Sequence, residues 1–192
     1  MMMNLHKTIG RGRHRICYQH PQDSSKCIKI LYNPDDGGVK EVRREVGYYR
    51  KRLTQIQHCR AIPDFHGKVE TALGEGYVFD LIRDYDGEIS KTLGHYIKND
   101  LLSAEEIDNL LYELRNDLIA HRIATMNLKD YNILYRRTSE KDGYLVVIDN
   151  IGESEFIPVA SLFSSLHRRK IDRIFARFMD TLPLAPACAS RS

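Results

Sequence analysis

Long hydrophobic runs are missing from this chain. The longest purely apolar stretches reach about five residues, as around Leu145 to Ile148, whereas a membrane-spanning helix needs about 20. The opening Met1-Met-Met-Asn-Leu-His-Lys has no apolar core long enough for a signal peptide. Cysteine is scarce: four residues stand at 17, 27, 59 and 188, with no Cys-x-x-Cys pair. That spacing argues against zinc sites and a disulfide framework, and it leaves four reduced thiols in a cytoplasmic protein as the expectation. An excess of one charge is lacking too. Lys plus Arg number 29 against 26 Asp plus Glu, a net of +3, so charge alone predicts neither nucleic acid nor a membrane surface as partner. Internal repeats and low-complexity segments are absent.

What remains is the composition of a globular protein. Of 192 residues, 42% are hydrophobic and 29% charged, enough to build one large domain or two small lobes. The first 85 residues read mostly as strand. Arg15-Ile-Cys-Tyr-Gln and Lys26-Cys-Ile-Lys-Ile-Leu are β-rich runs around the turn signal Pro21-Gln-Asp-Ser-Ser. After the breaker Asn33-Pro-Asp-Asp-Gly-Gly, a helix is expected from Val39 to Leu53, with Val42, Val46, Tyr49 and Leu53 on one face. Lys68 to Thr71 and Gly76 to Ile82 read as strands around Leu73-Gly-Glu-Gly. In the second half, Ser103 and Glu106 have the form of a capping box and open a helix carrying Ile107, Leu110, Leu111, Leu114 and Leu118. Strands follow at Asn132 to Arg136 and Tyr144 to Ile148, then a helix over 158–179 and a loose tail. The expectation is an α+β protein of two lobes, residues 1–85 and 86–182, joined near Arg83 to Gly87, with 183–192 as the tail.

Four features carry chemistry, each beside an ordinary reading. Gly10-Arg-Gly12 opens a hairpin, where glycine lets backbone N–H groups approach a phosphate; a plain tight turn has the same form. Lys29 alternates with apolar neighbours on a strand and points to a polar cavity or to solvent. Glu45, or Glu41 one turn earlier, is the helix carboxylate that would meet its ammonium. Thr125 to Leu134 forms a polar loop between a helix and a strand, the kind of position where site residues lie. Asp149 ends the apolar strand Leu145-Val-Val-Ile and is followed by Asn150-Ile-Gly152, a good place for a metal ligand as well as for a simple Asp turn.

Taken in this order, the features resemble the protein-kinase fold over about residues 8 to 180. Gly10 and Gly12 resemble the first glycines of its phosphate loop, with Arg15 at the third position. Ile28-Lys29 resembles the end of Val-Ala-Ile-Lys, and Glu45 in Arg-Arg-Glu-Val resembles the helix partner of that lysine. Val78-Phe-Asp80-Leu-Ile82 is similar to the strand leading into the adenine hinge. Asn127-Leu-Lys129-Asp130-Tyr-Asn132 resembles Asp-Leu-Lys-x-x-Asn, and Asp149 matches the metal-binding Asp of Asp-Phe-Gly. The resemblance implies a two-lobed kinase-like fold with a truncated C-terminal helical lobe. It implies ATP and Mg²⁺ as cofactors, with Gly10, Gly12, Lys29, Glu45, Asp80 and Ile82 on the nucleotide and Asn132 and Asp149 on the metal. Asn127, Lys129 and Asp130 would form the catalytic loop.

A closer resemblance is to the bacterial YrbL family of PhoP regulatory network proteins. It is carried by Gly-Arg-His-Arg with Cys-Tyr, Cys-Ile-Lys-Ile, Ile-Pro-Asp-Phe-His-Gly, Leu-Lys-Asp-Tyr-Asn-Ile-Leu and Asp149-Asn-Ile-Gly-Glu-Ser. It implies a cytosolic protein of the magnesium- and envelope-stress network and supplies no reaction. Two departures from kinases divide the functional reading. An amide at Asn127 cannot take a proton from a substrate hydroxyl, with Asp130 as the nearest substitute. Only about 40 residues follow Asp149, a clipped form that resembles bacterial sugar and lipopolysaccharide-core kinases or the minimal atypical kinases. One reading is a phosphotransferase acting on a small molecule, sugar or protein hydroxyl; the other is a pseudokinase module that binds a protein partner. A third, a nucleic-acid-binding regulator, would rest on Arg11-Gly-Arg-His-Arg15 and His167-Arg-Arg-Lys170, against a modest net charge.

Overall fold

A computed structural model describes residues 3–56, 59–153 and 164–183. The chain divides into two compact units, Met1–Gln57 with Pro63–Ile89, and His58–Ile62 with Ser90–Ser192.

The first unit is a five-stranded antiparallel sheet with one helix. Its strands are β1 (Thr8–Arg11), β2 (Arg15–Gln19), β3 (Lys26–Leu31), β4 (Phe65–Thr71) and β5 (Gly74–Asp80), in the spatial order β1-β2-β3-β5-β4. Helix α1 (Gly38–Ile56) is inserted between β3 and β4. The pleat sorts β3 into two faces. Ile28 and Ile30 pair with Val78 and Gly76 of β5, and with Met3, Leu5, Tyr18 and Val69 they form one apolar cluster. Glycine is required at 76, because a Cβ there would lie 2.5 Å from Ile28 Cγ2 and 2.9 Å from Ile30 Cδ1. Cys27 and Lys29 point the other way, opposite Phe79 and Tyr77. On that face Phe79 meets Tyr49 of α1 and Phe65 of β4, with ring centroids 5.4 and 5.1 Å away. Val42, Val46 and Tyr49 are buried, as their helical spacing requires. The helix extends beyond the expected Val39 to Leu53 at both ends, and the Leu53 side chain lies outside the described residues.

The second unit is mainly helical. It contains β6 (Lys91–Thr92), α2 (Leu93–Lys98), α3 (Ala104–Ala120), a 3₁₀ turn (Asp130–Asn132), β7 (Ile133–Arg137), β8 (Gly143–Val147) and α4 (Ser164–Met179). The strands form a sheet ordered β6-β7-β8. The capping box at α3 forms in full: Ser103 Oγ accepts from the Glu106 N–H, while the Glu106 carboxylate accepts from the Ser103 N–H at 2.7 Å. Ile107, Leu111, Leu114 and Leu118 face inward from α3, and His167, Ile171, Phe175 and Phe178 from α4. An Arg115–Asp172 ion pair joins the two helices, with Arg115 Nε donating at 2.7 Å. The expected start of the last helix at 158 and most of the expected tail lie outside the described residues. Among the described residues there are four α-helices, and none is long and apolar enough to cross a membrane. The architecture is α+β with antiparallel sheets.

Candidate functional site

In the second unit the chemistry-bearing segments are tied by backbone. The loop after α3 runs through buried Ile123, Ala124 and Thr125, and Thr125 bridges Ile151 antiparallel. Met126 N–H donates to Asn150 O at 3.0 Å, and Gly152 N–H to Ala124 O at 2.9 Å. The buried Thr125 hydroxyl lies within hydrogen-bond distance of both Asn127 O (3.0 Å) and Asn150 O (3.1 Å). Such a clasp needs a sharp turn just after Asp149. Asn150 supplies it at φ 61°, a left-handed conformation that asparagine tolerates better than most residues. Asp149 Oδ1 accepts the Asn150 N–H at 3.0 Å, which steadies its carboxylate. Ile148 N–H donates to Asn132 O at 3.0 Å, so the backbones beside the two metal candidates, Asn132 and Asp149, are hydrogen-bonded to each other. Both side chains are half-buried, whereas Asn127 and Lys129 are exposed.

Asp130 has a local role. Its Oδ1 accepts the Tyr131 N–H at 3.0 Å. Its Oδ2 lies so near α2 that a Cβ at Gly94 would come within 2.4 Å of it. Glycine 94 therefore makes room for this carboxylate. Among the described residues no three His, Cys, Asp or Glu side chains gather into a metal-holding group.

In the first unit, Gly10 and Gly12 lie on the β1–β2 hairpin, whose turn is closed by Gly12 N–H donating to Arg15 O at 2.8 Å. Both glycines are exposed. A Cβ at Gly10 would meet nothing within 4 Å, and one at Gly12 only Arg15 O at 3.6 Å. Tyr32 steadies the turn: its hydroxyl lies within hydrogen-bond distance of both Gly12 O (3.0 Å) and Arg13 O (2.9 Å), and its ring lies 4.4 Å from the Arg11 guanidinium. Lys29 is half-buried, with Nζ 4.5 Å from the centre of the Phe79 ring. Beside it, burial and contact with the Cys17 thiol push the Cys27 thiol well above its ordinary range, the Cys17 contact contributing most.

Glu45 departs from the pairing expected with Lys29. It is 3% exposed, and its Oε2 accepts from the buried Arg15 guanidinium, while Oε1 has no hydrogen-bond partner. Glu41, the alternative, has Oε2 3.8 Å from His14 Nε2. The physical reason is strand register. Arg15 stands opposite Leu31 and Cys17 opposite Lys29, so Arg15 and Lys29 share one sheet face, and the longer guanidinium takes the carboxylate. Asp80 is also occupied within its unit. Its Oδ2 accepts the Asp64 N–H at 3.0 Å, and its Oδ1 lies 2.6 Å from His66 Nε2. Ile82 is buried. Sequence reasoning gave Arg15, Tyr32 and Thr125 no role of their own; Arg15 stood out where a third glycine would be, and Thr125 as the start of the polar loop, while Tyr32 carried no signal.

A family model described as PhoP regulatory network protein YrbL matches residues 1–183. The chain belongs to the YrbL family. Relatives from Escherichia coli (strain K12) and Shigella flexneri, each named "Uncharacterized protein YrbL", are 44% identical over 181 residues, covering 93% of this chain and 86% of theirs. The YrbL match takes in nearly every residue discussed above, from Gly10 to Gly152.

Proposed function

We propose that this YrbL-family chain is a kinase-like protein that binds ATP with Mg²⁺. The observation that carries this reading is the hydrogen bond from Ile148 N–H to Asn132 O, which ties the backbone of Asn132 to that just before Asp149, beside the clasp of 124–126 with 150–152. Mg²⁺ is usually held by one or two protein carboxylates together with phosphate oxygens and water, so the amide oxygen of Asn132 and the carboxylate of Asp149 are a fitting donor set. Bound there, the ion would neutralise phosphate charge. The sheet order β1-β2-β3-β5-β4 with a helix between β3 and β4 supports the kinase-like reading of the first unit. The two glycines of the first hairpin, which packing does not demand, support a backbone approached closely by phosphate.

A second reading, a pseudokinase module, is favoured by two observations: Asn127 has no proton-accepting group, and the Glu45 carboxylate is held by Arg15. General-base assistance is worth roughly 10²–10⁴-fold, so an Asn127 enzyme would be slow while still binding nucleotide. Thermal unfolding with and without ATP–Mg²⁺ tests the proposal. At 100 times its dissociation constant a ligand stabilises the fold by about 2.7 kcal/mol. The expected result is a shift in wild type that disappears in Asp149→Ala; no shift in either protein would end the nucleotide reading. An ATPase rate that rises in Asn127→Asp would show that only the base is missing, and a rate unchanged from background would favour the module.

A further inference from the structure

Net charge conceals a local concentration in this molecule. Helix α1 contains six basic residues and two acidic ones, a net of +4 on one element, when the whole chain carries +3. At about 100° per residue, Lys40, Arg43, Arg44, Arg50 and Lys51 fall within an arc about 120° wide. The two acids point elsewhere, Glu41 toward His14 and Glu45 onto Arg15. Lys40, Arg43, Arg50 and Lys51 are exposed and Arg44 half-buried. Among the described residues none of these five forms an ion pair. Glu75 of β5, an acid whose carboxylate responds to Arg50, is already held by Lys68 at 2.6 Å.

The arc has a pattern. Arg43 and Arg50 make one row and Arg44 and Lys51 another, each pair seven residues and about 10.5 Å apart. Between the rows runs a median line of Lys40 and Gly47. Among the described residues nothing explains that glycine: its backbone is ordinary helix, and a Cβ there would meet nothing within 4 Å. Glycine inside a helix costs stability, and its remaining effect is to let an outside surface come close to the helix axis.

We infer that the outer face of α1 docks on double-stranded DNA, with its two basic rows against the phosphates flanking a major groove. The B-form major groove admits an α-helix, whereas the A-form groove of RNA is too narrow. A protein partner is disfavoured because the arc offers no apolar or aromatic side chain to form the centre of an interface. Membrane insertion is disfavoured because the apolar side of α1, with Val42, Val46 and Tyr49, is already buried. The two rows are set against the phosphates, so the contact is to backbone and independent of sequence. The inference does not depend on the nucleotide reading.

The test is fluorescence anisotropy of a labelled 20-base-pair duplex of random sequence between 50 and 200 mM NaCl. Five phosphate contacts should make the affinity fall roughly 500-fold over that range, and Arg43→Ala with Arg50→Ala, leaving three, should reduce the fall to roughly 40-fold. Gly47→Glu should weaken binding at every salt concentration. Arg168→Ala with Arg169→Ala removes the same charge from α4 and should leave binding unchanged. Far-UV circular dichroism verifies that each variant is folded. No binding at 50 mM, binding indifferent to salt, or equal loss in the α4 variant would overturn the inference. So would capture by phosphatidylserine vesicles, abolished by the same α1 substitutions, in a protein that ignores the duplex.

Discussion

The Arg15–Glu45 pair joins β2 to α1 in the first unit. Both groups are buried, at 8% and 3% exposure. Removing one member of a buried pair leaves an uncompensated charge, at a cost of about 3–5 kcal/mol. Arg15→Ala should therefore lower the urea midpoint by the equivalent of about 3 kcal/mol. Replacing both, Arg15→Leu with Glu45→Leu, should recover much of that loss; a double variant as unstable as the single one would show that the pair is not the cause. Glu45 itself was legible in the sequence, since Val42, Val46 and Tyr49 fix the inward face of α1 and place Glu45 beside it. Its partner was not. Lys29 and Arg15 lie on one face of the sheet, and alternation along a strand gives direction without reach. Asp80 illustrates the same limit, because the backbone N–H of Asp64 that occupies it has no signature in the sequence.

Elements were easier to read where end signals accompany periodicity. The α3 capping box is the clearest example, with Ser103 and Glu106 three residues apart before an apolar stripe. Ser103→Ala should cost about 1 kcal/mol. The box also has a pH dependence. Hydrogen bonds from the Ser103 hydroxyl and backbone N–H hold the Glu106 carboxyl below its ordinary value of 4.5. A carboxyl with a depressed folded value contributes stability above pH 4.5 and loses it as pH falls through the folded value. The difference in melting temperature between wild type and Glu106→Ala should accordingly narrow below pH 4.5; a constant difference would deny the carboxylate its role. The elements that escaped notice were short or polar. α2 has six residues with Gly94 near its start and β6 only two, so neither offers a periodic signal; each is held by neighbours, β6 by β7 and α2 by the Asp130 turn.

At the scale of the molecule, the α+β character and the change of texture between the two halves were visible in the sequence, because alternation dominates early and helical periodicity late. The path of the chain was not visible. Residues His58–Ile62 belong to the second unit although residues of the first stand on both sides of them. They are fastened there by Ala61 O, which accepts the Val147 N–H at 2.8 Å, and by Arg60, whose Nε donates to Asp117 at 2.8 Å while its guanidinium lies 5.3 Å from the Tyr144 ring centre. Arg60 is about half exposed, so Arg60→Ala should cost at most about 1 kcal/mol. The loss should shrink in 1 M salt, where exposed charges are screened within about 3 Å.

That short excursion has a consequence during synthesis. A ribosome releases residues 58–62 long before α3 and β8, the elements that anchor them, have been made. All five strands of the first unit's sheet are made by Asp80, while Arg60 and Ala61 still await Asp117 and Val147. Only when Val147 emerges does the carbonyl of Ala61 receive its proton donor. The order of translation thus leaves Arg60 and Ala61 without their partners until most of the second unit has been made.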